Sequence, residues 1–148
     1  MKWLLDTNVV SEPIRQKPSP AVVNWLAAKA KGETAISIVT LAELRDGAAC
    51  ARDQLKRHQL STWIDTEIVE YFEDRTLSLS IDVLLDWIAL SRRLRRGGRA
   101  REPTDLLIGA TARVHSLILV SRNIRHFAGT GIVVYDPWND ELHRTELA

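Results

Sequence analysis

The sequence predicts an α/β fold, a three-layer α/β/α sandwich around a parallel sheet of four or five strands. Three observations carry this. Short apolar runs alternate with longer amphipathic ones, the pattern of βα units and a parallel sheet. The 148 residues suffice for one domain with a real core and are too few for two ordinary ones. Apolar residues make up 45% and charged residues 26%, close to an average globular composition, which argues against disorder. There is no internal repeat and no low-complexity tract.

The elements follow in order. Trp3-Leu4-Leu5, ending at Asp6, reads as the first strand. A short helix lies near residues 9–12, and Pro13 and Pro18 punctuate the loop after it. Ser19 as N-cap and Pro20 at the first helical position start a helix over residues 20–30. Val22, Val23, Leu26 and Ala27 form its apolar face, and Lys31-Gly32 closes it. Residues 34–37 are the second strand. Thr40 is the expected cap of a helix through Leu41, Leu44 and Ala48, and another long helix covers residues 52–69. Residues 76–79 form a third strand. Ser80 caps a helix carrying Val83, Leu84, Trp87, Ile88 and Leu94, stopped by Gly97-Gly98. Pro103-Thr104-Asp105 opens the last helix. Strands at 117–120 and 131–135 complete the sheet, and Asp136-Pro137-Trp138 ends the domain, which spans residues 1–138. The tail at 139–148 is polar and expected to fray.

Composition narrows the class further. No apolar run is long enough to cross a bilayer. The N-terminal apolar stretch meets Asp6 too early for a signal peptide, so a cytoplasmic location is expected. Lys plus Arg is 20 and Asp plus Glu is 19, a net +1 that says little about partners. Distribution says more. Arg92, Arg93, Arg95, Arg96, Arg99 and Arg101 crowd one stretch; Asp65, Glu67, Glu70, Glu73 and Asp74 crowd another. The arginines read either as cations offsetting a helix dipole or as a phosphate-contacting edge for RNA. Trp25, Trp63 and Trp87 sit on apolar helical faces and read as core or interface anchors. Cys50 is the only cysteine, which excludes an internal disulfide, and its alanine-rich surroundings suggest a buried structural thiol.

In open parallel sheets, ligands bind beyond the carboxyl ends of the strands. Polar residues just past those ends are therefore the candidates. Asp6, Thr7 and Asn8 follow the first strand, and Glu43 lies one helical turn beyond the second. Asp105 opens the helix leading into the fourth strand, and Ser121, Arg122 and Asn123 follow that strand. Each has a plain structural role open to it. Asp6 and Asn123 suit turns, Asp105 suits a first helical turn, and Thr40 to Glu43 fits a capping box. Together they place three carboxylates and a carboxamide on one rim. Such a gathering repels itself unless a cation neutralises it, and hard oxygen ligands suit Mg²⁺ or Mn²⁺. With no histidine or cysteine in the cluster, zinc is disfavoured.

Four blocks then fall in register. Leu4-Leu5-Asp6-Thr7-Asn8-Val9-Val10-Ser11-Glu12 resembles the opening of PIN domains of the VapC/FitB kind. Residues 37–47 are similar to their second block, residues 104–112 to the third, and residues 119–127 with Gly131 and Asp136-Pro137-Trp138 to the fourth block and closing strand. The resemblance implies a Mg²⁺-dependent endoribonuclease, with Mn²⁺ substituting, that is the toxin of a type II toxin–antitoxin pair. It implies that Asp6, Glu43 and Asp105 are the acidic metal-site residues, and that Asn123 stands where members carry a fourth acid or an Asn. It also implies a homodimer, held inactive by a small DNA-binding antitoxin whose tail covers the site. The pattern departs at His126, where members often have Asp; His126 reads as an exposed turn residue rather than a ligand. Two other strand-end-Asp readings fall away. A haloacid-dehalogenase-like phosphatase needs an Asp at the place of Asn8, and a phospho-receiver needs an acidic pair near the first strand and a Lys after the last. A PIN-like module that binds RNA or a partner without cutting stays open as the alternative.

Overall fold

The computed structural model describes residues 1–147. Its strands are β1 (Trp3–Leu5), β2 (Thr34–Ser37), β3 (Thr76–Leu77), β4 (Ile118–Val120), β5 (Val133–Asp136) and β6 (Glu141–Arg144). They form one sheet in the order β3-β2-β1-β4-β5-β6. The first five run parallel and β6 lies antiparallel on β5. β1 is central, with Trp3 opposite Thr34 on one side and Ile118 on the other. The chain builds outward from β1 to β3, then returns to the far side of β1 as β4. That reversal opens a crevice above the end of β1, the topological switch point of the sheet.

Alternation along the strands sends neighbouring side chains to opposite layers. Leu5, Ile36 and Val120 enter one core with Val9, Val22, Ile64 and Phe72. Leu4, Ala35 and Leu119 enter the other with Ile108, Phe127 and Ile132. Both faces are covered, so these strands read as unbroken apolar runs. The helices are α1 (Thr7–Val10), α2 (Pro20–Ala27), α3 (Ile38–Ala49), α4 (Gln54–Trp63), α5 (Ile81–Arg96) and α6 (Pro103–Val114). A π-helical stretch, Ile64–Val69, prolongs α4 and buries Ile64 and Ile68. α2 and α4 with its extension flank the first core. α6 covers the second, and α5 packs on α6 through Val83, Leu90 and Ala110. α6 can sit this close because of Gly109, where a Cβ would fall 2.5 Å from Ile132 Cδ1.

The α/β/α expectation holds, with three corrections. The sheet has six strands, because the tail does not fray. Residues 141–144 pair with 133–136 as an edge strand. Asp140 turns the chain at φ +55, and the Tyr135 hydroxyl donates to Asp140 Oδ1 at 2.8 Å; Ala148 lies outside the described residues. The cap of α3 lies three residues before the expected one. The Ser37 hydroxyl accepts the Val39 N–H at 3.1 Å, while Thr40 sits inside the helix with a buried, unpartnered hydroxyl. Cys50 is exposed rather than core, because it is the C-cap where α3 runs out into solvent. No helix among the described residues is long and apolar enough to cross a membrane.

Candidate active site at the carboxyl end of the sheet

Asp6 is the first residue past β1, and only 3% of it is exposed. It caps α1, its Oδ1 accepting the Thr7 N–H at 2.8 Å. Its Oδ2 accepts from the Ser121 hydroxyl at 2.6 Å, and Ser121 is the first residue past β4. The two strand ends that flank the crevice are thus tied to each other. The Ser121 hydroxyl also accepts the Asn123 N–H at 3.0 Å, which fixes its proton toward Asp6. Asn8 bridges the same ends: its Nδ2 donates at 3.4 Å to Asp6 Oδ2 and to Ser121 Oγ, and its Oδ1 accepts the Arg122 N–H at 3.3 Å.

Glu43 enters from α3. Its Oε1 accepts from the Thr7 hydroxyl at 2.7 Å. The capping box suggested by Thr40 to Glu43 therefore does not form; Ser37 caps the helix, and Glu43 is turned to the crevice. Asp105 stands in the first turn of α6, and its Oδ2 lies 2.6 Å from His126 Nδ1.

The electrostatics link the three acids. Burial pushes the Asp6 carboxyl up from 3.8 to about 6. The Ser121 and Thr7 hydrogen bonds pull it back, while the charges of Asp105 and Glu43 push it higher. Even so, among the described residues no three Asp, Glu, His or Cys side chains converge closely enough to grasp a metal by themselves. The donors are carboxylate, hydroxyl and carboxamide oxygens around a carboxyl held against like charges. That set fits a hard divalent cation bound by one or two carboxylates and completed by water, the usual manner of Mg²⁺. It does not fit a dedicated protein cage.

Asn123 is exposed and joins the cluster through its backbone N–H; its side chain does not cap the turn it begins. Sequence reasoning undervalued two residues. Asn8, in the first turn of α1, bonds Asp6 at the end of β1 and reaches Ser121 and Arg122 past β4 by two further hydrogen bonds, and its place two residues after Asp6 was the available signal. His126 contacts Asp105, and its position in the fourth block, where an acid is usual, was the sign that it faces the site. Arg122 leaves the crevice and stacks over Trp138 at 5.3 Å.

The chain is similar to several known proteins along nearly its whole length. The toxin FitB of Neisseria gonorrhoeae is 33% identical over 93% of this chain and 99% of its own length. A tRNA(fMet)-specific endonuclease, VapC of Shigella flexneri, is 31% identical over 94% of this chain and 99% of that protein. Among solved structures, FitAcB from Neisseria gonorrhoeae superposes with a TM-score of 0.87 at 32% identity, covering 92% of this chain and 98% of that one. DNA-bound VapBC from Salmonella typhimurium gives 0.80 at 25% identity, covering 93% and 98%. The PIN domain family itself matches across residues 3–132, and this protein belongs to that family, among relatives of the FitB and VapC kind.

Proposed function

We propose that this protein is a metal-dependent endoribonuclease, the toxin of a type II toxin–antitoxin pair. The observation that carries the proposal is Asp6: a buried carboxyl at the switch point, raised to about 6, with Asp105 and Glu43 acting on it. Asp6 and Asp105 would hold Mg²⁺, with Mn²⁺ able to replace it, and Glu43 would bind it or orient the attacking water. A divalent cation held there would neutralise the acids and the charge growing on phosphate, and would make a bound water more acidic. The chain's own residues supply the order. The Ser121 hydroxyl and the Thr7 N–H stop the Asp6 carboxylate from rotating. The Thr7 hydroxyl fixes one Glu43 oxygen and leaves the second for water. Asn123 completes the rim. Such hydrolysis depends on positioning and charge neutralisation and needs no protein nucleophile.

RNA as the substrate is supported by the VapC relative, whose name specifies a tRNA endonuclease. A small DNA-binding antitoxin is supported by the similar VapBC assembly solved on DNA. Pairing with a second copy is supported by Ile81 and Leu85, exposed at 68% and 56% one turn apart on α5. We place the domain at residues 1–138 with β6 as an appended edge, and the protein in the cytoplasm.

One observation favours a second reading, a PIN-like module that binds without cutting: His126 holds a carboxylate oxygen that a metal would need. Both readings meet one experiment. Purified, antitoxin-free protein is incubated with total cellular RNA in Mg²⁺, in Mn²⁺ and in chelator, beside Asp6→Ala and Asp105→Ala. Metal-dependent cutting that is lost in both variants is expected. A folded, metal-supplied wild type that leaves the whole pool intact would move the assignment to the binding module.

A further inference from the structure

We propose that the cavity between the C-terminal half of α5 and the start of α6 is a phosphate subsite, gripping the RNA strand at a nucleotide away from the one being cut. The proposal rests on the ribonuclease reading and extends it to substrate positioning.

Charge comes first. Arg92, Arg93, Arg95, Arg96, Arg99 and Arg101 gather at this end, and no salt bridge among the described residues involves any of them. The middle of α5 is different, because there Asp86 pairs with Arg113 at 3.0 Å. An uncompensated arginine cluster repels itself and raises a strong positive potential for an arriving anion.

Shape comes second. A cavity of about 300 Å³ lies beside these arginines, its polar wall made by Arg92, Arg95 and Arg101 and its apolar wall by Trp87, Pro103 and Leu106. Two of those lining residues keep a buried N–H with no acceptor, Nε1 of Trp87 and Nε of Arg101. Buried donors are seldom left unpaired, so two beside one cavity point to an acceptor-rich ligand.

A phosphodiester matches these features: an acceptor-only anion whose attached ribose can rest its C–H face on the apolar wall. A dipole-offsetting role explains Arg93, Arg95 and Arg96 in the last turn of α5. It does not explain Arg101, which lies beyond the helix, or the cavity. Pro103 and Leu106, which line the cavity, flank Asp105 in the first turns of α6, so the cavity and the candidate active site share one helix.

The test uses the full chain freed of any antitoxin. Fluorescent mixed-sequence single-stranded RNA is titrated in chelator, where nothing is cut, over a series of salt concentrations. Wild type is compared with Arg92→Ala/Arg101→Ala, with the milder Arg101→Gln, and with Arg52→Ala, which removes one charge from the α3–α4 loop. We expect the double variant to bind about 10-fold more weakly, and its slope of log affinity against log salt to flatten by about 0.7 for each phosphate no longer held. Arg52→Ala should leave both unchanged. In Mg²⁺ the double variant should raise KM and leave kcat nearly unaltered. Unchanged affinity and slope in variants of a wild type that binds and cuts RNA would overturn the subsite alone. Variants that keep RNA affinity but lose an antitoxin would overturn it in favour of an acidic partner segment. A folded wild type that neither binds nor cuts RNA would overturn this subsite together with the ribonuclease reading.

Discussion

Two aspartates stand at the carboxyl ends of parallel strands in this sheet, and the fold uses them in opposite ways. Asp6 follows β1, Asp136 closes β5, and they are exposed at 3% and 4%. Asp136 Oδ1 accepts the Trp138 N–H at 2.8 Å, and its Oδ2 accepts from Asn139 Nδ2 at 2.8 Å. Its charge is taken up by the turn that leads toward β6. Asp6 also has donors, from Ser121 and Thr7, but it faces the charges of Asp105 and Glu43 as well. Burial and a strand-end position therefore do not separate site from scaffold. Acids converging from separate elements do: Glu141 only faces Asp136 across the β5–β6 hairpin, whereas Glu43 on α3 and Asp105 on α6 both bear on Asp6.

The comparison breaks most visibly in activity. Asp6→Asn should lower metal-dependent RNA cleavage by more than about 100-fold, beyond the ~10–100-fold typical of losing an outer partner of a metal ligand. Asp136→Ala should leave cleavage per folded molecule close to wild type. Equal losses in single-turnover assays of the two variants would remove the distinction.

The next effect is on stability against pH. Folding raises the Asp6 carboxyl from 3.8 to about 6, so the protonated form is favoured in the native state. Its stabilising contribution is full below pH 3.8 and is lost as pH rises through about 6. The loss is about 3 kcal/mol. In chelator, urea unfolding at both ends of that range should show wild type losing this amount relative to Asp6→Asn. A flat difference between the two proteins would mean that burial, with the nearby acids, does not hold the Asp6 carboxyl up.

Ser121→Ala comes third. It removes the hydroxyl that holds Asp6 Oδ2 and receives the Asn123 N–H. Cleavage and metal affinity should fall ~10–100-fold, with Thr recovering part of the loss. Asp136→Ala should lower the unfolding free energy by about 1–3 kcal/mol in denaturant titration, through the donors it leaves unpaired in the turn. Cys50→Ser should change stability by less than about 0.5 kcal/mol, since the thiol is exposed at a helix end.

Much of this was legible in the sequence, for definable reasons. The strand-end rule located Asp6, Glu43, Asp105 and Ser121, because parallel strands put their following residues on one rim. The start of α5 was legible at Ser80, whose hydroxyl accepts the Val83 N–H at 3.3 Å. Between Ser37 and Thr40 the pattern could not choose. The chain turned at once where β2 ended, and the earlier hydroxyl took the cap. β6 was missed because an edge strand outside the core carries no apolar alternation; Glu141, Leu142, His143 and Arg144 look like tail. His126 is exposed, as its sequence context implies, but its contact with Asp105 depends on how a short 3-10 turn meets α6, which no local pattern encodes.

The most direct test of the central claim is calorimetric titration of Mn²⁺ into metal-free wild type and Asp6→Asn near pH 6, in two buffers of different ionisation heat. Wild type should bind the cation and release protons as it does so, from an Asp6 that is part-protonated at that pH. Asp6→Asn should bind far more weakly and release fewer protons. Tight binding by both proteins with the same proton release, or no binding by a folded wild type, would contradict the claim that this cluster of acids is assembled around Asp6 to take a metal.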